Sequence, residues 1–281
     1  IALKTLNANH SASVGFSYKK WTFTPEVGLN LSFNDMNSQL YGDNSLLGND
    51  FQNEIKWNEI NPYTQLMVNY KGSALNLNVT LPMNFYGMDY KDVLRNKDTE
   101  TSKTVFEPSL WASYDFASFW KIWAFGNLGY DFGSFGSVYD GFVLTNPRAL
   151  GNRNSTLLPE NRTLNATSRL EYRNPLNNLF FNIRYTYADF NKNIISATKR
   201  FESGAATTSL VYEDNNSYSQ SEGAEIGKYF PKFKTNASVT FTNRDSNSFS
   251  RLIDKNDVSN LIENKNNTQS FALKFNNTYF S

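Results

Sequence analysis

Apolar and polar residues alternate with a period of two over unusually long stretches of this chain. In residues 21–34, one set of alternate positions is aromatic or aliphatic: Trp21, Phe23, Val27, Leu29, Leu31 and Phe33. The intervening positions are mostly small or polar. A strand places these two sets on opposite faces, whereas a helix would mix them. Residues 73–86 and 11–18 repeat the pattern, which predicts strands with one apolar and one polar face.

The same alternation predicts further strands along the rest of the chain. They lie at residues 61–70, 105–116, 120–133, 163–173, 179–199, 207–230, 235–243 and 268–280. Soluble strands are usually about 5–6 residues long, whereas a tilted membrane-spanning strand needs about 9–11. The predicted lengths therefore favour a bilayer. Pro25, Pro82 and Pro108 fall inside predicted strands, where we expect bulges or strand ends.

Connections between the predicted strands alternate between short and long. Short ones lie at residues 19–20, 71–72, 117–119, 174–178 and 231–234, and long ones at 35–55, 87–103, 134–160 and 244–267, with a briefer one near 201–206. Outer-membrane barrels show this asymmetry, with tight periplasmic turns and extended extracellular loops. We therefore expect an all-β fold: an antiparallel up-and-down transmembrane β-barrel.

Aromatic residues flank nearly every short connection. The expected members of a membrane-interface girdle are Tyr18, Trp21, Tyr70, Phe116, Trp120, Tyr172, Phe180 and Tyr229, with Phe230 beside the last. If the short turns share one side of a membrane, these rings lie where one edge meets lipid and the other meets water. The competing interpretation is that they are ordinary hydrophobic contacts beside hairpins.

The composition supports a β-barrel wall with one apolar face and one face exposed to water. Aromatic residues make up 16% of the chain, yet the hydrophobic total is only 40% and the mean hydropathy is −0.53. Soluble cores rely more on Leu, Ile and Val. The net charge of +1 gives no reason to expect a nucleic-acid partner, and the absence of cysteine excludes disulfides. We find no signal peptide at Ile1, and expect residues 1–281 to be one domain, a piece of a longer barrel chain.

Residues that carry chemistry are few. His10 is the single histidine, so a zinc site built from His and Cys is impossible within this chain, and no nucleophile motif accompanies it. The polar positions of the predicted strands carry mixed charges: Glu26, Glu107, Asp115, Lys121, Asp131, Arg169, Glu171, Arg184, Glu225 and Lys274. Such a set favours a wet barrel interior over a pair of catalytic carboxylates. We expect no enzyme activity, no cofactor and no metal site.

An acidic group at Asp89, Asp92, Asp98 and Glu100 invites comparison with a calcium site. The four residues lack the spacing of a calcium-binding EF-hand loop. The sequence favours a solvated loop instead.

One stretch resembles a known family. Residues 144–195 read LTNPRALGNRNSTLLPENRTLNATSRLEYRNPLNNLFFNIRYTYADFNKNII. This is similar to the barrel region of Bacteroidota-type TonB-dependent receptors, in which an "LxPE"-like segment, a "YRNP"-like turn and "NNII"-like residues punctuate the strands. Here those elements lie at residues 157–160, 172–175 and 191–195. The resemblance implies a 22-stranded barrel with an N-terminal plug and a TonB box, of which this chain holds about 11 strands from the C-terminal part.

The function that the resemblance implies is import of a large nutrient across the Gram-negative outer membrane. Its expected partners are outer-membrane lipid, the plug of the same longer chain, periplasmic TonB and a surface lipoprotein. Aromatic residues in or beside the predicted loops are the candidate ligand contacts: Tyr41, Phe51, Trp57, Tyr86, Tyr90, Phe135, Tyr139 and Phe142.

Two rival functions stay open at the level of sequence. The first is a barrel without a plug, acting as a passive channel or adhesin. The second is a secreted soluble β-sandwich that binds a ligand, which predicts shorter strands and loops of similar length at both ends. The substrate itself is not readable from the sequence.

Overall fold

Strands hold most of the residues in a computed structural model, which describes residues 1–134, 139–146, 149–151, 158–200, 206–254 and 258–277. The strands are β1 (Ala2–Ser13), β2 (Phe16–Tyr18), β3 (Trp21–Gln39), β4 (Tyr41–Gly42), β5 (Ser45–Leu46), β6 (Gln52–Lys71), β7 (Leu75–Asp92), β8 (Lys97–Phe106), β9 (Ser109–Ala117), β10 (Trp120–Asp131), β11 (Val143–Asn146), β12 (Ala149–Gly151), β13 (Asn161–Asn174), β14 (Leu179–Arg200), β15 (Ala206–Phe230), β16 (Thr235–Ile253) and β17 (Ser259–Asn277). Short 3-10 turns lie at Asn49–Phe51 and Pro231–Phe233. Within these ranges no helix has the length and apolar character needed to cross a membrane.

Thirteen of the strands form a single sheet in the order β1-β3-β6-β7-β9-β10-β13-β14-β15-β16-β17, in which β2 and β8 also take part. β1 and β2 pair with the same neighbour, as do β8 and β9, so the 13 strands occupy 11 positions. Successive positions are antiparallel. The two remaining sheets of the described chain are two-stranded. A β-sandwich needs two large packed sheets, so the fold is an up-and-down sheet that forms part of a larger barrel.

The three prolines behave differently from one another. Pro108 separates β8 from β9, because proline has no N–H to donate to the ladder. Pro25 and Pro82 stay within β3 and β7, where each is paired across the ladder without a register shift. The expected strand end is therefore confirmed at Pro108, whereas the bulges expected at Pro25 and Pro82 are wrong.

One face of the sheet carries a continuous apolar band. Cross-strand partners share a face, and one row across four strands reads Phe23, Val68, Val79 and Leu110. The band runs along β3 from Trp21 to Leu31. Those residues extend over about 33 Å of strand, or about 25 Å of height at a tilt of about 40°. This matches the apolar band of an outer-membrane barrel, so this face points to lipid and the other lines the interior.

Above the upper edge of the apolar band the strands continue into water. Two segments that were predicted to be loops consist largely of strands there, so these two predictions are wrong. Residues 87–103 are the two arms of the β7–β8 hairpin, and residues 244–267 include the upper parts of β16 and β17. Both faces of a strand are wet above the bilayer, so polar residues occupy both and the alternation that marks a strand disappears. The predicted loop 35–55 likewise shortens to residues 40–51, which carry the small β4–β5 hairpin.

The expected short turns are confirmed at the opposite end of the sheet. Residues 19–20, 72–74, 118–119, 175–178 and 231–234 connect neighbouring strands there. Lys19, Asn178 and Lys234 have φ angles of 55°, 55° and 45°, which tight turns require at one position. The sheet thus has a tight-turn rim at one edge of the apolar band and tall hairpins at the other.

Candidate functional site at the barrel mouth

The interior face of the wall is mostly polar at the height of the apolar band. The ladder register places the charged residues predicted for a wet interior on the face opposite the apolar band. Many are held by neighbours: the Tyr63 hydroxyl donates to Glu26 at 2.7 Å, and the Asn182 amide donates to Glu225 at 2.9 Å. His10 lies on the other face, opposite Leu29.

Six of the eight predicted girdle residues lie in the outward rows beside the tight turns. The ring centroids of Trp21 and Tyr70 are 4.8 Å apart. The Trp120 ring lies 6.2 Å from Phe116 and 4.8 Å from Tyr172, measured between centroids. Tyr18 pairs with Trp21 across the β2–β3 ladder. These contacts support the proposed girdle, which remains a proposal until membrane insertion is measured.

Phe180 and Tyr229 lie on the opposite face, which corrects their expected place in the girdle. Phe180 is paired with Arg173 and Gly227, and Tyr229 with Asn236, all on the interior face. A Cβ added at Gly227 would lie 2.1 Å from the Phe180 ring. The ring therefore covers a glycine inside the barrel instead of facing lipid, and Phe230 is the outward aromatic at this turn.

At the upper edge of the apolar band and above it, an apolar cluster fills the interior side of the barrel mouth. Its buried members come from four strands and the segment that follows β10: Met36, Ile55, Trp57, Met88, Tyr90, Val105 and Phe132. The Tyr86 ring meets Phe132 edge to face, with centroids 5.1 Å apart. Interior burial at this height requires a cover, because the barrel lumen is otherwise wet.

The connection between β10 and β13 provides that cover. The Gly141 N–H donates to the Asn53 side chain at 2.8 Å, and the Phe142 N–H donates to the Asp50 carbonyl at 2.7 Å. Asp140 pairs with Lys97 at 2.5 Å, and the Phe142 ring stacks on Phe51 with centroids 5.4 Å apart. These contacts fasten the connection to the outer ends of β6 and β8.

A second attachment lies where the connection rejoins the sheet. Asn193 stands at a register shift in β14, and its side chain accepts the Glu160 N–H at 2.7 Å and donates to the Leu158 carbonyl at 3.2 Å. Glu160 in turn pairs with Lys103 on β8 at 2.7 Å. Residues 158–160 and Asn193, which belong to the two segments that carry the family resemblance, are therefore in direct contact.

The two hydrogen bonds of the Asn193 side chain, to Glu160 and Leu158, form a clamp that makes a testable contribution to local stability. Asn193→Ala removes both hydrogen bonds, which are worth about 1–2 kcal/mol together. Amide hydrogen exchange at Leu158 and Glu160 is therefore expected to rise roughly tenfold in the folded full-length protein. Asn191→Ala is the control, because its amide contacts Asn216 at 2.6 Å and not the connection. Equal exchange in the two variants would contradict the clamp.

A cavity of about 270 Å³ opens beside the clamp, facing the lumen. Apolar surface from Met88, Phe132 and Leu158 lies next to the ion pair of Lys103 with Glu160. The remaining lining residues are Thr99, Thr101, Pro159, Asn193 and Tyr212. The mixture of apolar surface, hydroxyls and one accessible ion pair suits a small polar group of a larger ligand. The sequence signal for it was the "LxPE"-like segment.

The predicted ligand residues fall into separate places. Trp57 and Tyr90 are buried in the apolar cluster, with Tyr86 and Tyr139 packed against it. Phe51 and Phe142 form the stacked pair. Tyr41 stands apart and exposed on the β4–β5 hairpin, donating to Gln39 at 2.8 Å, and Phe135 lies outside the described residues. The structure thus gives most of them a packing environment and leaves Tyr41 accessible.

Tyr90 is the most constrained of this group. Burial, followed by the nearby carboxylates of Asp92 and Asp140, raises the pKa of its hydroxyl well above the ordinary value. The hydroxyl has no hydrogen-bond partner among the described residues. Tyr90 therefore stays neutral and contributes chiefly by packing.

The acidic group around the β7–β8 hairpin does not converge on one point. Asp92 is buried and pairs with Arg95 at 3.0 Å, and Asp98 pairs with Lys91 at 3.4 Å. Asp89 and Glu100 are cross-strand partners on the outward face. The expected solvated loop is wrong here, since these residues belong to a hairpin.

The tip of the β14–β15 hairpin leans against a third strand. Ala197–Lys199 pair in parallel with Arg251–Ile253, and Arg251 makes a bidentate ion pair with Glu213. Hydrogen bonding from Arg251 lowers the pKa of the Glu213 carboxyl below its ordinary value of 4.5. All of these residues lie above the apolar band.

This ion pair predicts acid-sensitive docking of the hairpin tip. A carboxyl with a lowered pKa stabilises the docked state above its ordinary pKa of 4.5, and the contribution is lost as pH falls through the lowered value. Amide exchange at residues 197–199, corrected for intrinsic rates, should stay constant from neutral pH to about 5 and rise below about 4. Arg251→Gln should show the fast exchange at every pH. A wild-type profile that is flat into acid would contradict the role of the pair.

Comparisons with known proteins bear on the fold alone. No protein-family model and no curated protein sequence matches the chain. Among solved structures, the copper transporter OprC matches with a TM-score of 0.60 and 9% identity, over 97% of this chain and 50% of that one. FpvA from P. aeruginosa, solved with heterologous pyoverdines, matches at 0.48 and 12%, over 97% and 42%. The outer membrane transporter YddB from Escherichia coli matches at 0.38 and 11%, over 98% and 52%.

The OprC similarity and the two-faced sheet together define the class of fold. The chain is an antiparallel outer-membrane β-barrel wall, and it spans about half the length of OprC. At this identity the similarity establishes the fold and leaves the transported substrate open.

Proposed function

We propose that this chain is part of the wall of a TonB-dependent outer-membrane transporter, of the Bacteroidota type that residues 144–195 resemble. The observation that carries the proposal is a sheet with an apolar outer band and a charged interior face, similar to half of OprC. A polar interior suits a wall that surrounds a water-exposed plug and a substrate path. The whole protein imports a nutrient too large for passive pores across the Gram-negative outer membrane.

In this proposal each surface has its own partner. The apolar band contacts outer-membrane lipid, and the interior face contacts the plug. The plug and the segment that binds periplasmic TonB both belong to the rest of a longer chain. A surface lipoprotein covers the hairpins and the mouth. Residues 1–281 form one domain of that protein. Tyr41 and the cavity beside Asn193 are the proposed first contacts of the substrate.

The test is energy-coupled removal of a solute from the growth medium. Medium composition is measured after growth of the wild-type host, of a strain lacking this gene and of a strain lacking TonB. The proposal predicts a solute that the wild type removes and that both mutants leave behind. Removal of every solute by the gene-deletion strain would contradict import.

The same experiment separates the passive barrel from the active transporter. A solute left behind by the gene-deletion strain but removed by the strain lacking TonB would show uptake without energy coupling. That outcome would replace the proposal with a channel that has no plug.

A further inference from the structure

The tight-turn rim is strongly basic. We define the rim as the five tight connections with their flanking residues: 18–21, 70–75, 117–120, 173–179 and 228–235. These stretches contain no Asp or Glu and seven basic residues, all of them exposed: Lys19, Lys20, Lys71, Arg173, Lys228, Lys232 and Lys234. The whole chain has 27 basic and 26 acidic residues, so removing these 7 leaves 20 basic against 26 acidic elsewhere. The positive charge is therefore concentrated at one end of the wall.

The fold arranges these charges in a long row. They come from four turns that are far apart in sequence, and β3 and β16 bound the row with eight strand spacings between them. Neighbouring strands lie about 4.8 Å apart, so the row extends over roughly 40 Å. Like charges along one edge repel one another and destabilise the folded wall. An extended anionic partner would offset this repulsion.

Contacts within the wall leave most of this charge uncompensated. Lys19 lies over the Tyr18 ring, 5.2 Å from its centroid, and an aromatic ring orients a cation without cancelling its charge. Arg173 pairs with Glu171 at 3.6 Å, but the same carboxylate also pairs with Arg169 at 3.0 Å. The Arg173 side chain is 76% exposed. The rim therefore presents a positive surface to the space beyond the turns.

The positions of the basic residues indicate the direction from which a partner approaches. Lys228 lies on an outward row, whereas Lys71 and Arg173 lie on interior rows, opposite Asn76 and Phe180. The remaining four belong to the turns themselves. Lipid headgroups beside the wall reach only the outward residues. A partner that lies beneath the barrel opening reaches residues of all three kinds.

The apolar residues of the rim favour a polymer over a folded protein. The most exposed of them, Leu176 and Phe233, are 85% and 66% exposed and stand in separate turns. Protein interfaces usually have a contiguous apolar centre. A row of cations without such a centre suits a flexible polyanion, which gains affinity by contacting several turns at once.

We propose that the rim binds peptidoglycan, a polymer whose peptide stems carry free carboxylates. The lysines and Arg173 donate charge-assisted hydrogen bonds to these carboxylates, and the contact holds the barrel to the cell wall. The inference rests on the orientation in the proposed function, in which the tight turns face the periplasm. It adds a partner to which import itself makes no reference.

The experiment is co-sedimentation of the full-length protein, in a mild non-ionic detergent, with purified protein-free peptidoglycan sacculi. The wild type should sediment with sacculi at low salt and be released at about 1 M salt, where screening is strong. The rim variant replaces four exposed lysines that have ordinary backbone angles: Lys20→Gln, Lys71→Gln, Lys228→Gln and Lys232→Gln. Its bound fraction should fall by roughly fivefold or more, because several contacts are lost together.

The matched control removes the same charge at the opposite end of the sheet. It carries Lys4→Gln, Lys56→Gln, Lys91→Gln and Lys265→Gln, all on the upper parts of strands. This control should bind as the wild type does, and arginine at the four rim positions should restore binding. Sacculi with amidated carboxylates should not retain the wild type.

Three outcomes would overturn the proposal. They are equal sedimentation of the rim variant and the wild type, equal losses in the rim and control variants, and retention of the wild type by amidated sacculi. Binding of phosphatidylglycerol vesicles without binding of sacculi would overturn it in favour of lipid headgroups. Because sedimentation requires neither transport nor TonB, its failure would leave the import proposal standing.

Discussion

Leu81→Arg is expected to lower the free energy of unfolding of the full-length protein in bilayers by about 2–4 kcal/mol. Leu81 lies near the middle of the apolar band, opposite Leu66 on the outward face. An arginine there must place a guanidinium in hydrocarbon or distort the bilayer to reach water. The measurement is reversible denaturant unfolding in lipid vesicles, with tryptophan fluorescence as the signal.

The adjacent residue provides a control for this prediction. Thr80 belongs to the same strand but points to the interior, opposite Met67 and Ser109. Thr80→Arg adds the same side chain to a wet surface, so its effect should stay within about 1 kcal/mol. Equal losses for the two variants would mean that the faces are not distinguished by lipid, and the orientation of the wall would be wrong.

Gly227→Ala is expected to destabilise the tight-turn rim by about 1–3 kcal/mol, because the added methyl group overlaps the Phe180 ring. The distance from the new Cβ to Phe180 Cζ would be 2.1 Å, and two further ring carbons lie within 2.7 Å. The ring must move away, which exposes the strand that it covers. The measurement is the same unfolding experiment.

Gly223→Ala is the matched control on the same strand and the same face. Its new Cβ would lie 3.7 Å from the Phe241 carbonyl and 3.9 Å from the Thr242 hydroxyl, which are ordinary contacts. Since alanine loses less conformational entropy than glycine on folding, this variant should equal the wild type or exceed it by about 0.5 kcal/mol. Phe180→Leu should relieve most of the loss caused by Gly227→Ala, and full additivity of the two changes would refute the proposed overlap.

Alternation predicted most of the membrane-spanning parts of the fold, although it missed residues 2–10 of β1. β3 and β7 were recognised because lipid and water act on opposite faces of each, which leaves a period of two in the sequence. The upper part of β16 was missed because its sequence lacks this alternation. Residues 244–253 have water on both sides, so no difference between faces is recorded in their composition.

The sequence held the information needed to assign the girdle residues correctly, but two of them were assigned by the wrong criterion. Phe180 and Tyr229 were assigned by their closeness to short turns, but their own alternation points inward: Phe180 shares a face with Asn182 and Arg184. Parity along the strand is therefore a better guide than distance from the turn. The six residues that satisfied both criteria are the ones that lie in the outward rows.

The packing at the barrel mouth could not be predicted from the sequence, for a different reason. Its cover depends on contacts such as Gly141 with Asn53, which are 88 residues apart, and no local pattern encodes such a pairing. The family resemblance marked both halves of the Asn193 clamp but gave no sign that they touch. Trp57 and Tyr90 were predicted near loops and are buried in strands, because the hairpins rise higher than the polar sequence suggested.

The central claim is the placement of this wall in the outer membrane, with tall hairpins outside and tight turns inside. The chain has no cysteine, so single cysteines can be labelled without background. Leu94 in the β7–β8 turn and Leu176 in the β13–β14 turn are both exposed leucines at opposite ends of the sheet. In intact cells, a membrane-impermeant maleimide should label Leu94→Cys and should reach Leu176→Cys only after the outer membrane is permeabilised. Equal labelling of the two in intact cells, or labelling of Leu176→Cys alone, would contradict the account.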